Sequence, residues 1–289
     1  MAKISSILPT PLSFHSPLPA IEGGVAIVTG ASSGIGRATV AALAELGTHS
    51  RIIGTSRHPD TITDPIEGVD YLPLDLADPA SIDEFATRAL SFGPPTVLVN
   101  NAGESQSGPL EELPGDALRR LFDINVLGQV GVTQKILPAM RQRGAGRIVM
   151  VGSMLGSFPL AYRSSYVASK AALKGFAFAA RREVWPFGVG MSVVEPGSIN
   201  TGLSARRTKY VDLRGPYAAE FATMLKNLDN NEANGIPAER VAEEILKPIT
   251  ATYPKPLYAT GSMAPVVFPL SRVVPTAAMH WLINRKHGL

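Results

Sequence analysis

Tyr166 and Lys170 stand four residues apart in "SSYVASKAAL", residues 164–173, a stretch whose small residues otherwise suit a packed helix. At that spacing two side chains share a helix face, with roughly 5–6 Å between their Cβ atoms, so the ammonium can act on the phenol. A free tyrosine, with a pKa of about 10, holds its proton too tightly to work as a base near neutrality. A neighbouring cation favours the phenolate and brings that value down. Hydride transfer to a carbonyl leaves negative charge on oxygen, which needs a donor to stabilise it and a proton to finish the reaction. A phenol tuned in this way serves as acid in reduction and base in oxidation. Tyr162, the nearest rival phenol, has no lysine four residues on.

A second group of residues suits a dinucleotide. "VTGASSGIGRA" (28–38) follows a β-branched run and opens a helical one, which places Gly30, Ser32, Ser33, Gly34, Ile35 and Gly36 at the turn between them. Glycines there let the backbone approach a pyrophosphate, and the helix amino terminus offers unpaired N–H groups with a favourable dipole. The spacing is Gly-x-x-x-Gly-x-Gly rather than the commoner Gly-x-Gly-x-x-Gly, and a tight structural turn is the competing reading. About 20 residues beyond such a turn an acid bonds a ribose 2′-hydroxyl, whereas an arginine accommodates a 2′-phosphate. Here the second run ends "GTSRHP", with Arg57 and no acid before Asp60, which favours NADP(H) over NAD(H). Arg57 supplies a planar fork for phosphate, and Thr55 and Ser56 offer hydroxyls. A solvated loop charge is the alternative for Arg57, and Arg37 is either a further phosphate contact or a surface residue. Asp75, with Leu76 beside it, can accept from an adenine amino group or cap the approach to a helix. "VNNAG" (99–103) puts Asn101, Ala102 and Gly103 where a nucleoside must come close.

These residues need a scaffold that brings strand ends together. From Gly24 onward, β-branched runs at 24–29, 50–56, 69–74, 96–100, 146–153, 188–196 and 255–260 alternate with helical patterns near 35–46, 79–91, 116–142, 165–187 and 237–251. That alternation predicts an α/β protein with a doubly wound parallel sheet of about seven strands and helices on both faces, in one domain over 23–262. The polar stretch 197–234, between "PGS" and "NGIP", is expected to be a long loop acting as a lid. Residues 1–22, rich in Ser and Pro, are expected to form a flexible tail. Residues 263–289 are expected to form an apolar extension packed on the domain, with interfacial membrane contact as a weaker alternative.

Composition narrows the function classes. With no cysteine, thiolate catalysis and disulfides are excluded, and the five histidines show no metal-ligand spacing. The net charge of +3 is spread among acids, without the basic stripe that tracks a nucleic-acid backbone. No run reaches the ~18 apolar residues of a membrane-spanning helix, because Pro265, Pro269, Arg272 and Pro275 interrupt the nearest one. The expectation is a cytoplasmic protein acting on a small molecule, with no metal and no nucleic-acid partner.

The ordered set "TGASSGIG", "NNAG", "GSM" at a strand end, "SSYVASK" and "EPGSINT" resembles the short-chain dehydrogenase/reductase family over about residues 24–260. The resemblance implies a Rossmann fold and a catalytic tetrad at Asn125, Ser153, Tyr166 and Lys170. It implies that Lys170 bonds the nicotinamide ribose, and that Asn125 holds a bent helix and a water relaying protons to Lys170. It further implies that Pro196, Gly197, Ser198, Ile199 and Thr201 lie along the carboxamide. Read singly, Ser153 is equally a strand-end cap and Asn125 a helix surface amide. Leu155, Phe158, Leu160 and Tyr162 are expected to line an apolar substrate wall, though core packing explains them as well. Val266, Val267, Phe268 and Leu270 of the extension are expected beside them.

The substrate expected is a hydrophobic ketone, aldehyde or alcohol. A looser resemblance runs to the retinol- and hydroxysteroid-type branch. A cofactor-binding, non-redox protein on the same scaffold is the alternative function. Phe176 and Phe178 on the 165–187 helix are candidates for a homodimer or homotetramer contact, against a monomer whose own tail covers that face.

Overall fold

The computed structural model describes residues 16–202 and 206–289. Its strands are β1 (Val25–Val28), β2 (Arg51–Ser56), β3 (Val69–Pro73), β4 (Pro95–Asn100), β5 (Gln106–Ser107), β6 (Gly146–Val151), β7 (Val189–Pro196), β8 (Thr208–Lys209) and β9 (Leu257–Thr260). The helices are α1 (Gly34–Leu46), α2 (Pro79–Ser91), α3 (Gly115–Phe122), α4 (Gln129–Arg143), α5 (Ser164–Val184), α6 (Ala218–Ala233), α7 (Ala238–Thr250), α8 (Ala264–Leu270) and α9 (Thr276–Lys286). Seven strands form one parallel sheet in the order β3-β2-β1-β4-β6-β7-β9, and β5 pairs with β8 in a separate two-stranded piece.

The central strands β1, β4, β6 and β7 are buried along their whole length, which is why they read as continuous apolar runs rather than alternating ones. One face of the sheet packs Phe85 of α2, Ile136 of α4 and Leu173 of α5, and the other packs Leu43 of α1 and Val241 and Ile245 of α7. The chain runs outward from β1 to β3 and then returns to β4 on the other side of β1. That reversal opens a crevice at the carboxyl ends of the strands, where ligands bind in open α/β sheets.

Helix α5 buries Ser165, Tyr166, Ser169, Lys170, Leu173, Ala177, Arg181 and Val184, a single stripe at three- and four-residue spacing. Leu173 and Ala177 press this stripe onto the sheet, and Tyr166 and Lys170 continue it past the strand ends. The core therefore fixes where the two polar side chains emerge.

Two expectations about organisation change. The 197–234 stretch is not a long loop, because α6 occupies 16 of its residues. Phe221, Met224 and Leu228 recur along α6 at helical spacing and bury against Leu160, which is what makes it a helix. Of the expected flexible tail, residues 1–15 lie outside the described residues, while Leu18 and Ile21 are buried. The Leu18 amide donates to the Thr252 carbonyl at 2.9 Å and Arg147 donates to the Pro19 carbonyl at 3.0 Å, so this part of the chain is held on the domain. In the extension, Ala264 and Met279 pack against Met154 and Phe158, while Val273 and Trp281 face outward. Among the described residues no helix is long and apolar enough to cross a membrane.

Candidate active site

A cleft of about 680 Å³ runs along the carboxyl edge of the sheet, from the first turn to the carboxyl-terminal helix. Its first wall is backbone. Gly30, at φ +69°, and Gly34, at φ +55°, take left-handed conformations that favour glycine. Gly36 needs to be glycine for space, since a Cβ there would lie 2.1 Å from the Gly30 oxygen and 2.6 Å from Asn101 Nδ2. Ser33 precedes α1 without capping it, and the first turn of α1 carries no acid. The amino-terminal N–H groups of α1 thus keep their affinity for an anion, which fits a pyrophosphate.

Side chains staple this wall together. Thr29 Oγ1 accepts from the Asn101 and Ala102 amides at 2.9 and 3.0 Å, and Asn101 Nδ2 donates to the Thr29 carbonyl at 2.9 Å. The expected cofactor contacts Ser32, Ser33, Ile35, Ser56, Arg57, Asp75, Leu76, Ala102 and Gly103 also line the cleft. Thr55 also lines the cleft; it is buried, and its hydroxyl accepts from the Gly30 amide at 3.2 Å, holding the glycine turn. Asp75 keeps both of its expected roles open, since it lines the cleft while Oδ1 accepts from the Ala77 amide at 2.9 Å. Arg37 is engaged by Asp64. Arg57 remains largely exposed at the end of β2, with Nη1 3.7 Å from Glu104 Oε1.

At the chemical centre, Ser153, Tyr166 and Lys170 line the same cleft. Ser153 follows β6, its Oγ accepts from the Leu155 amide at 3.2 Å, and its hydroxyl draws the pKa of the Tyr166 phenol downward. Strand end and helix stripe thereby meet. Asn125 stands behind the cleft, fully buried in a π-helical turn at Asp123–Gly128 that joins α3 to α4. It is not a surface amide. Its Oδ1 accepts from the Glu104 amide at 2.8 Å, and its Nδ2 donates to the Glu104 carbonyl at 3.0 Å and to Ser169 Oγ at 3.2 Å. Asn125 therefore ties the loop after β4 to α5.

The electrostatics around Tyr166 differ from the simple pairing read from the sequence. Burial pushes the phenol above its ordinary value, against a downward pull from Arg163 and from the Ser153 hydroxyl. Lys170 Nζ donates to the Val151 carbonyl at 2.9 Å and lies 5.9 Å from the centre of the Tyr166 ring. Burial lowers its ammonium to about 8. Arg163 is nearer, with its guanidinium carbon 4.3 Å from the ring centre. It is buried, and Nη1 donates to Ser105 Oγ, the Gln106 carbonyl and Ser107 Oγ at 2.9–3.0 Å.

Sequence reasoning passed over Arg163, because a lone arginine ahead of a helix carries no local sign of a partner sixty residues upstream. It also passed over Glu104, whose carboxylate pairs with Arg120 at 2.7 Å and faces Arg57.

Pro196, Gly197, Ser198, Ile199 and Thr201 line the cleft after β7. The Gly197 amide donates to the Thr260 carbonyl at 2.8 Å and the Ser198 amide to Ser262 Oγ at 2.8 Å, so the residues after β9 hold this turn. A Cβ at Gly197 would lie 2.4 Å from Ser262 Oγ. Of the expected apolar wall, Leu155 and Phe158 line the cleft, joined by Val267, Leu228 and Ile283. Phe268 packs edge-on against Phe158, with ring centres 4.9 Å apart. Leu160 and Tyr162 do not line the cleft. Leu160 is buried against Phe221, Met224 and Leu228, and Tyr162 packs edge-on to Phe221 at 5.7 Å, because α6 covers the loop that precedes α5.

This geometry has counterparts of known sequence and structure. Residues 24–211 match the model of the family described as short chain dehydrogenase. An uncharacterized oxidoreductase of Bacillus subtilis is 32% identical over 277 residues, 91% of this chain and 98% of the relative. The 3-ketodihydrosphingosine reductase of Bacteroides thetaiotaomicron is 31% identical over 251 residues, 86% of this chain and 91% of the relative. A short chain dehydrogenase from Burkholderia cenocepacia, solved in complex with NADP, superimposes with a TM-score of 0.72 at 26% identity, covering 92% of this chain and 99% of that one. The chain belongs to the short-chain dehydrogenase family of oxidoreductases.

Proposed function

We propose that the protein is an NADP(H)-dependent oxidoreductase that interconverts a hydrophobic ketone or aldehyde with its alcohol, running chiefly in the reductive direction. The observation that carries this reading is a single cleft onto which both the glycine turn before α1 and the Ser153, Tyr166 and Lys170 side chains open. NADP(H), when bound, supplies or accepts the hydride. The amino terminus of α1 would hold its pyrophosphate, Arg57 and Ser56 its 2′-phosphate, Lys170 its nicotinamide ribose, and the turn at 196–201 its carboxamide.

The rest of the chemistry belongs to this chain's own side chains. Tyr166 gives its phenolic proton to the carbonyl oxygen in reduction and recovers one from the alcohol in oxidation. Ser153, at the same end of the cleft, donates to the same oxygen and stabilises the charge that develops there. Lys170, drawn to about 8 by burial, can be charged or neutral near neutrality and so can pass on a proton. Asn125 fixes the loop and helix between which these groups sit. Leu155, Phe158, Val267 and Ile283 surround the substrate carbon skeleton and exclude water. One relative is a 3-ketodihydrosphingosine reductase, in keeping with a ketone as substrate.

The test is product analysis with NADPH and with NADH against a panel of apolar ketones and aldehydes. Alcohol formed in proportion to NADPH consumed is the expected result. Binding of NADPH without turnover on any member of the panel would overturn the proposal.

A further inference from the structure

We propose that Arg163 is a positioning residue for Tyr166: its buried guanidinium, clamped over the phenol ring, holds the ring in the cleft and stabilises its ionised form. Arg163, and not Lys170 alone, then sets the pH at which the phenol exchanges its proton. The proposal rests on Tyr166 being the acid–base group of the proposed reaction.

The geometry is specific. The guanidinium carbon lies 4.3 Å from the Tyr166 ring centre, within the range of a cation–π contact. That attraction strengthens when the ring carries negative charge, because a planar cation then faces an anion in a dry site. Three acceptors, Ser105 Oγ, the Gln106 carbonyl and Ser107 Oγ, all engage Nη1, so one edge of the fork is fixed by β5 and the residue before it. Nε is buried with no hydrogen-bond partner among the described residues. No carboxylate bridges Arg163 directly among the described residues, although buried arginines are ordinarily paired. A buried cation without a direct ion pair, held against the only phenol that lines the cleft among the described residues, is best explained by what it does to that phenol.

The other charged groups facing Tyr166 do not replace it. Lys170, on the same helix, is 5.9 Å from the ring centre and turned to the Val151 carbonyl. Arg207, ahead of β8, is neutralised by Asp229 and Glu232 of α6 at 2.6 and 2.5 Å. With two carboxylates to one guanidinium this group is net negative, so it favours the neutral phenol rather than the ionised one. Arg163 is the cation nearest the ring and the strongest charge favouring the ionised phenol.

The test reads the ionisation of residue 166 without turnover. Tyr166 is replaced with difluorotyrosine, whose more acidic phenol titrates in a range the fold withstands, and fluorine NMR follows its midpoint in the full chain. Arg163→Gln is expected to raise the midpoint by about one pH unit or more, and Arg163→Lys by less. Lys170→Met is expected to move it less than Arg163→Gln does. An unchanged midpoint in a folded Arg163→Gln protein, or a larger shift from Lys170→Met, would overturn the proposal.

If Arg163→Gln does not fold, Ser105→Ala combined with Ser107→Ala carries the test, since it frees the fork from two of its acceptors and keeps the charge. A raised midpoint supports the clamp and an unchanged one refutes it. Failure of the wild-type protein to turn over any carbonyl would count against the oxidoreductase reading and would leave this titration intact.

Discussion

The two ends of the cleft are built by different means. At the cofactor end the backbone does the shaping: left-handed glycines, an uncapped helix start and a Thr29–Asn101 staple leave no room for other side chains. At the substrate end side chains do it, drawn from the loop after β6, from α6 and from α8 and α9. A backbone-built wall depends on a few residue types at fixed spacing, whereas a side-chain wall depends on which distant elements happen to pack there. The first can tolerate almost no substitution, and the second can be retuned one residue at a time.

The largest expected effect separates lining from support. Leu160→Ala, which empties space between the loop before α5 and Phe221, Met224 and Leu228, should cost about 2–5 kcal/mol in denaturant unfolding and leave KM nearly unchanged. Leu155→Ala, in the cleft itself, should change KM for bulky carbonyls with a much smaller loss of stability. Equal effects on stability and KM from the two variants would erase the distinction drawn between them.

Next comes the phosphate fork. Arg57→Asp should lower the preference for NADPH over NADH by about tenfold or more, as expected for loss of a charged hydrogen bond worth about 1.5–3 kcal/mol. Parallel Kd measurements for the two cofactors check it, and an unchanged ratio would remove Arg57 from the site. Gly36→Ala tests the backbone wall: with the Gly30 oxygen only 2.1 Å from the new Cβ, the turn must shift, at about 1–3 kcal/mol. Both melting temperature and cofactor affinity should fall.

A further effect concerns Lys170. Burial holds its ammonium at about 8 against 10.5 in the unfolded chain, so between those values the unfolded state binds more protons and stability rises with pH. The cost is fully present below about 8 and is relieved as pH rises toward 10.5. In cofactor-free protein, Lys170→Met should therefore melt higher than wild type at pH 7, with the gap closing above pH 9. Calorimetry across that range reads the trend.

The same contrast explains what could be read from the sequence. The seven sheet strands and the flanking helices α1, α2, α5 and α7 follow from local periodicity, and the glycine turn and the Tyr166–Lys170 pair are legible because short spacing carries their meaning. Helix α6 was hidden by polar residues on its outer face, although Phe221, Met224 and Leu228 already held the helical period. Arg163 was invisible because its partners at 105–107 meet it only once β5 packs beside α5. Leu160 and Tyr162 were misassigned for a related reason. An apolar residue near an active-site serine lines the site or supports it according to what covers it, and here the cover is α6.

The most direct measurement compares the wild-type protein with Tyr166→Phe in NADPH-dependent reduction of an apolar carbonyl, with NADPH affinity determined alongside. The ring, its burial and its Arg163 contact are kept, and only the exchangeable proton is lost. The rate should fall by about 10²–10⁴-fold while NADPH binding stays within about twofold. Undiminished turnover in Tyr166→Phe would contradict the assignment of the proton to Tyr166, and with it the chemistry proposed for this cleft.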